Sequence, residues 1–166
     1  LSVRLSAWRE AQQYLLNKSL VCAGRQGPEV AGAGEDTEIC LLVLLAGYKL
    51  HYEPKLTLKH VLPDGRLSWP YLKELYKGFG ASSALLFAYR SILKGRKSAF
   101  HKLFWSFCSW YYLFLSTLLK ISVHFIVSIL SFREFNSSEL KLCMYRQRLS
   151  SLLRSKKTFE AIKALA

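Results

Sequence analysis

Glu35 and Asp36 stand side by side between a glycine-rich stretch, Gly24 to Gly34, and an almost wholly apolar run, Thr37 to Ala46. Two carboxylates at the mouth of a loop and the start of a buried helix suit general-base chemistry, which needs a carboxylate held beside a cleft. The same position suits structural work. An Asp there can cap the helix, and a Glu in the first turn complements the helix dipole. Both readings of Asp36 stay open on the residues alone. His60 shares one face of an apolar alternation with Leu56 and Leu58, where a half-buried structural histidine would sit.

The elements that must position these residues follow from periodicity. Leu1, Val3 and Leu5 alternate with polar residues, a short strand signal, and Ser6 can then cap a helix from Ala7 to Leu16. Gly24–Gly34, with Pro28 inside it, reads as a loop. Thr37–Ala46 reads as a buried helix closed by Gly47, which suits the left-handed residue that ends a helix. Lys49–Glu53 and Lys55–Val61 read as strands parted by Pro54, Pro63-Asp64-Gly65 as a turn, and Trp69–Phe79 as an amphipathic helix ending at Gly78 and Gly80.

Charge divides the chain. Residues 1–86 hold 10 Lys/Arg and 8 Asp/Glu, whereas residues 87–166 hold 14 and 3, so nearly all of the net +13 lies in the back half. A half so basic must meet something acidic: anionic lipid, a phosphorylated substrate or nucleic acid. The basic residues flank apolar helices and no nucleic-acid motif occurs, so nucleic acid ranks last and is not expected as a partner. The four cysteines, Cys22, Cys40, Cys108 and Cys143, have neither zinc-ligand nor disulfide-framework spacing and read as buried free thiols.

Gly34-Glu35-Asp36-Thr37-Glu38, then Leu45-Ala46-Gly47-Tyr48-Lys49, then Tyr52-Glu53-Pro54-Lys55-Leu56-Thr57-Leu58-Lys59-His60 form an ordered series. Arg66-Leu67-Ser68-Trp69 and Leu75-Tyr76-Lys77-Gly78-Phe79-Gly80 extend it. The series resembles the second half of the catalytic domain of family 2 glycosyltransferases, from about Leu1 to Ser83. The resemblance implies an α/β fold. Residues 1–88 would be a partial GT-A catalytic domain, and residues 89–166 a basic, helical, membrane-associated tail.

The resemblance also implies an inverting transfer of sugar from a nucleotide-sugar donor to a glycan or lipid-linked acceptor, in cell-envelope synthesis. Asp36 would be the catalytic base. Glu35 would orient the loop or contact the acceptor, or else only complement the helix dipole. His60 would help hold a divalent metal, Mn²⁺ or Mg²⁺, or else only pack. Arg66 would pair with phosphate and Trp69 would stack on sugar, or the two would simply form a helix start with an anchor tryptophan.

The sequence departs from that family in one respect. Its only aspartates are Asp36 and Asp64, so the Asp-any-Asp metal motif is missing. With the opening at Leu1 rather than Met, the expectation is a fragment or processed chain, inactive by itself. The alternative is a catalytically inactive membrane-associated remnant or interaction protein.

Leu103–Phe132 carries only Lys120 and His124 among Lys, Arg, His, Asp and Glu. Its length suffices for a membrane span. Yet Lys120 near the centre costs about 3 kcal/mol, and both flanks are basic rather than one. These features favour a helix pair in one leaflet at the cytoplasmic face, with Trp105, Trp110, Tyr111 and Tyr112 as an interfacial belt. A true span and a buried hairpin are the other two readings.

Overall fold

The computed structural model describes residues 2–15, 20, 22, 33–59, 61–95, 99–130 and 137–165, without the side chains of residues 101, 102, 106 and 107. Of these described residues 79% are helical and none is in a strand. The α/β expectation for residues 1–88 is therefore overturned, and the partial GT-A domain with it.

Among the described residues six α-helices follow in order: α1 Leu5–Ala11, α2 Glu35–Leu45, α3 Trp69–Gly95, α4 Ala99–Leu130, α5 Ser137–Arg154 and α6 Lys156–Lys163. Short 3-10 turns stand at Gln12–Tyr14 and Asp64–Leu67. The expected strand at Leu1–Leu5 gives way to α1, because the Arg4 carbonyl already accepts a hydrogen bond from the Trp8 amide at 3.0 Å. Ser6 thus lies inside the helix rather than at its cap.

The strands expected over Lys49–Glu53 and Lys55–Val61 do not form among the described residues: Pro54 and Lys55 make a turn, closed by the Leu56 amide donating to the Glu53 carbonyl at 3.1 Å, and His60 lies outside the described residues. Leu50, Tyr52, Leu56 and Leu58 do alternate, but Tyr52 is 84% and Leu58 83% exposed. A strand is defined by pairing, and a lone extended run has neither ladder bonds nor a covered face. No pairing neighbour lies among the described residues.

The helical expectations fare better. α2 occupies almost the span expected, and Gly47 ends it at φ +89°. The helix expected over Trp69–Phe79 does begin at Trp69. Ser68 caps it: its Oγ accepts from the Tyr71 amide at 3.4 Å and donates to the Gly65 carbonyl at 2.9 Å. However, α3 continues through Gly78 and Gly80 to Gly95. Those glycines do not end the helix; they admit a neighbour. A Cβ on Gly80 would lie 2.1 Å from the Met144 carbonyl oxygen of α5.

That approach sets the bundle. Lys73 pairs with Glu139, Arg148 Nε donates to Ser83 Oγ at 2.7 Å, and Ser151 Oγ donates to the Ala81 carbonyl at 2.9 Å. Position numbers rise together on both helices, so α3 and α5 run parallel. α4 runs antiparallel to both: Phe87 of α3 meets Tyr112 and Trp105, and Tyr145 of α5 stacks on His124. α6 turns back against α3 and buries Phe159 and Ile162. α1 and α2 close the front of this bundle, with Ala7, Ala11, Leu41, Leu42 and Leu45 in the core.

Candidate functional site

Gly34 places the two carboxylates. Its φ of +121° is one that side chains resist, and a Cβ there would meet Ser82 Oγ at 2.9 Å and Leu86 Cδ1 at 3.1 Å. The backbone thus presses onto α3, and α2 starts at the next residue. Gly34, not Asp36, is the N-cap, and no side chain caps this end. Glu35 and Asp36 occupy the exposed side of the first turn. Among the described residues the Asp36 carboxylate makes no side-chain hydrogen bond or ion pair, so the capping reading of Asp36 is corrected.

Arg66 and Trp69 lie elsewhere. Arg66 is exposed in the 3-10 turn, and half-buried Trp69 opens α3 with Lys73 Nζ 6.0 Å from its ring centre. From Trp69 to Ser82, where Gly34 touches α3, is about 20 Å of helix. The structure therefore does not gather Asp36, Arg66 and Trp69 into one cleft. His60 lies outside the described residues, and the metal role assigned to it has no geometry to stand on. Among the described residues no group of three His, Cys, Asp or Glu side chains could hold a metal ion.

The buried carboxylate of this segment is Glu38, to which the sequence reading gave no role. It is 0% exposed. Its Oε2 accepts from the Cys22 amide at 2.6 Å and its Oε1 from the Tyr89 hydroxyl at 3.1 Å. Burial first, then the nearby Glu38 charge, pushes the Cys22 thiol and the Tyr89 hydroxyl far up in pKa. Both stay protonated, and Cys22 is no nucleophile at neutral pH. The cluster is a structural lock that ties α2 to α3. A signal for it existed: Glu38 stands three and four residues before Leu41 and Leu42, on the inward face of α2. Of the other cysteines, Cys40 and Cys143 are half-buried and Cys108 is exposed, so the expectation of buried thiols fails at Cys108.

The second surface of interest is α4. Cys108–Leu130, 23 residues of it, is long and apolar enough to cross a membrane, and most of it is exposed. Its inner face, Trp110, Leu113 and Thr117, packs on the bundle. Its outer face exposes Leu115, Leu119, Val123, Phe125, Ile126, Ile129 and Leu130. The expected aromatic belt is split. Tyr111 and Tyr112 face out, but Trp110 is buried, with Lys156 Nζ 4.7 Å from its ring centre. Trp105 is half-buried with Lys94 Nζ 4.2 Å from its ring centre. These ammonium–ring contacts fasten the basic ends of α3 and α6 to the start of α4.

No family profile, no curated protein and no solved structure matches the chain.

Proposed function

We propose that the chain takes part in inverting sugar transfer at a membrane surface, with Asp36 as the base and α4 as the membrane seat. The observation that carries this reading is the ordered series from Gly34 to Gly80, which resembles family 2 glycosyltransferases. It is supported by an Asp36 carboxylate that is exposed and has no described partner, and so is free to receive a proton. In the proposed step the acceptor hydroxyl gives its proton to Asp36 while its oxygen bonds to the anomeric carbon. The bond from that carbon to the nucleotide diphosphate breaks on the opposite face, and the diphosphate leaves with the electron pair. Glu35 lies beside the acceptor, whereas Arg66 and Trp69, set apart from Asp36 along α3, take no part in this step. A removed proton and a positioned carboxylate together account for a rate effect of roughly 10²–10⁴-fold.

The chain does not fit the divalent metal that such a diphosphate calls for. It has two aspartates 28 positions apart, and no described cluster of ligands. No step is assigned to a metal, and charge on the donor must be met by residues beyond these. The same feature favours a second reading, a non-catalytic membrane-associated protein. In both readings α4 lies against lipid, with its basic neighbours toward the anionic cytoplasmic leaflet.

The test is transfer of radiolabelled sugar from nucleotide-sugar donors to lipid-extractable acceptors, in membranes from cells expressing the gene at its natural length. Transfer that disappears with Asp36→Asn supports the first reading. No transfer above background from any donor supports the second. Transfer that survives Asp36→Asn removes Asp36 from the chemistry.

A further inference from the structure

Among the described residues of the back half, few cations have an acid partner. Its carboxylates are Glu134, Glu139 and Glu160. Glu139 is taken by Lys73 and Glu160 by Lys163; Glu134 lies outside the described residues. Arg146 and Arg154 have no carboxylate partner among the described residues. They stand eight positions apart on α5, about 12 Å along the axis. Between them Leu149, Ser150 and Leu153 complete an open groove of about 410 Å³. Leu153 is among the exposed large apolar residues. The groove opens at the α4 edge of α5, because Leu149 sits one turn after Tyr145, the residue stacked on His124 of α4.

A groove lined by two arginines and two leucines asks for a ligand with an anionic group and an apolar part. Guanidinium groups pair with phosphate through two parallel hydrogen bonds. The outer face of the neighbouring α4 supplies a continuous apolar surface for the rest of such a ligand. We infer that the Arg146–Arg154 groove binds the phosphate headgroup of an anionic phospholipid, with its acyl chains running over Leu149 and Leu153 toward α4. The inference rests on the membrane part of the proposed function and deepens it. It makes α5 a headgroup reader as well as a packing helix, and sets α4 parallel to the membrane with one face immersed.

The experiment is flotation of the purified chain with vesicles of phosphatidylcholine alone or mixed with phosphatidylglycerol. The double variant Arg146→Gln/Arg154→Gln is compared with Lys141→Gln/Lys157→Gln, which removes the same charge from other exposed sites. Wild type should float better with the anionic vesicles. Loss of the arginine pair should lower that partitioning by roughly 30-fold, the effect of two cations near a charged leaflet, and the lysine pair should lower it far less. Helicity and melting should match wild type for both variants. Equal losses for the two pairs would mean diffuse attraction and would overturn the site. Flotation indifferent to lipid charge would overturn the site while the apolar seat of α4 stands. No flotation with any vesicle would overturn both. Inorganic phosphate or glycerol phosphate that displaces the protein at millimolar concentration would make the ligand a free phosphate and overturn the lipid assignment.

Discussion

Residues 33–68 and residues 69–163 differ in what their sequences specify. The front stretch carries Glu35, Asp36 and Arg66, yet past Gly47 its described residues are mostly exposed and form no strand, with Leu50, Tyr52, Leu56 and Leu58 open to solvent. The bundle carries only the end of the resembling series, yet it holds the close helix crossings, from Gly80 beneath Met144 to Phe159 and Ile162 in the core. Residue identity in a motif needs only local order. Burial needs a partner surface. The front has the first without the second, and α2 is the exception because Gly34 and Glu38 fasten it to α3.

The bluntest way to break this contrast is to place the same substitution in each region. Gly80→Val pushes a branched side chain into a backbone carbonyl that cannot swing aside. It should cost about 3 kcal/mol or more, even though valine is a better helix former than glycine. Gly65→Val meets nothing within 4 Å and should change stability by less than about 0.5 kcal/mol. Denaturant melts of the two variants give the comparison directly. Equal costs would mean that α3 and α5 do not cross at Gly80.

The link between the regions is the next target. Glu38→Gln keeps the shape but puts an NH₂ group where one of two donors, the Cys22 amide or the Tyr89 hydroxyl, now points. Leaving a buried donor unmatched should cost roughly 2 kcal/mol. Hydrogen exchange should rise first in α2, not in α5. If exchange rises uniformly, α2 is an integral part of the bundle and the contrast between regions is weaker than drawn.

The same cluster sets a pH dependence. The Cys22 and Tyr89 groups have folded-state pKa values raised by burial, and by the Glu38 charge after it. Their contribution is fully present below the unfolded pKa values and is lost as pH rises beyond them, since the unfolded chain then releases protons that the folded chain keeps. Melting temperature should therefore fall from about pH 9 upward, where a free thiol begins to ionise. Cys22→Ala should flatten the first part of that fall. A melt independent of pH between 8 and about 10.5 would remove the cluster from the folded state.

Where the sequence was legible, local chemistry was enough. α2 and its stop at Gly47, the start of α3 at Ser68-Trp69, and the long apolar α4 all follow from caps, glycine and period. The failures are non-local. Alternation at Leu50–Leu58 promised strands, but no pairing partner lies among the described residues. Gly78 and Gly80 looked like a helix stop, because nothing in the order of residues announces that Met144 of α5 will cross there. Trp110 looked interfacial, and turned inward because Lys156, 46 positions later, covers its ring. At the site, the resemblance singled out Asp36, and packing singled out Glu38 two residues on. These are different questions, and only the second is answered by burial.

The smallest effect on stability belongs to the residue with the largest proposed effect on activity. Asp36→Asn removes one charge from the exposed first turn of α2, where Gly34 already provides the cap. The dipole loss is a few tenths of a kcal/mol at such a surface position, and asparagine is well tolerated near a helix start. Melting and helicity should therefore equal wild type within about 0.5 kcal/mol. Asparagine cannot accept the acceptor's proton, so transfer by the gene product at its natural length should fall by roughly 10²-fold or more. Each region is then read by its own assay: Gly80→Val is seen in the melt, and Asp36→Asn only in transfer. An Asp36→Asn protein that melts several degrees low would give the carboxylate a structural duty that its exposed, unpartnered position does not explain. It would also make any loss of transfer an effect of folding rather than of proton transfer.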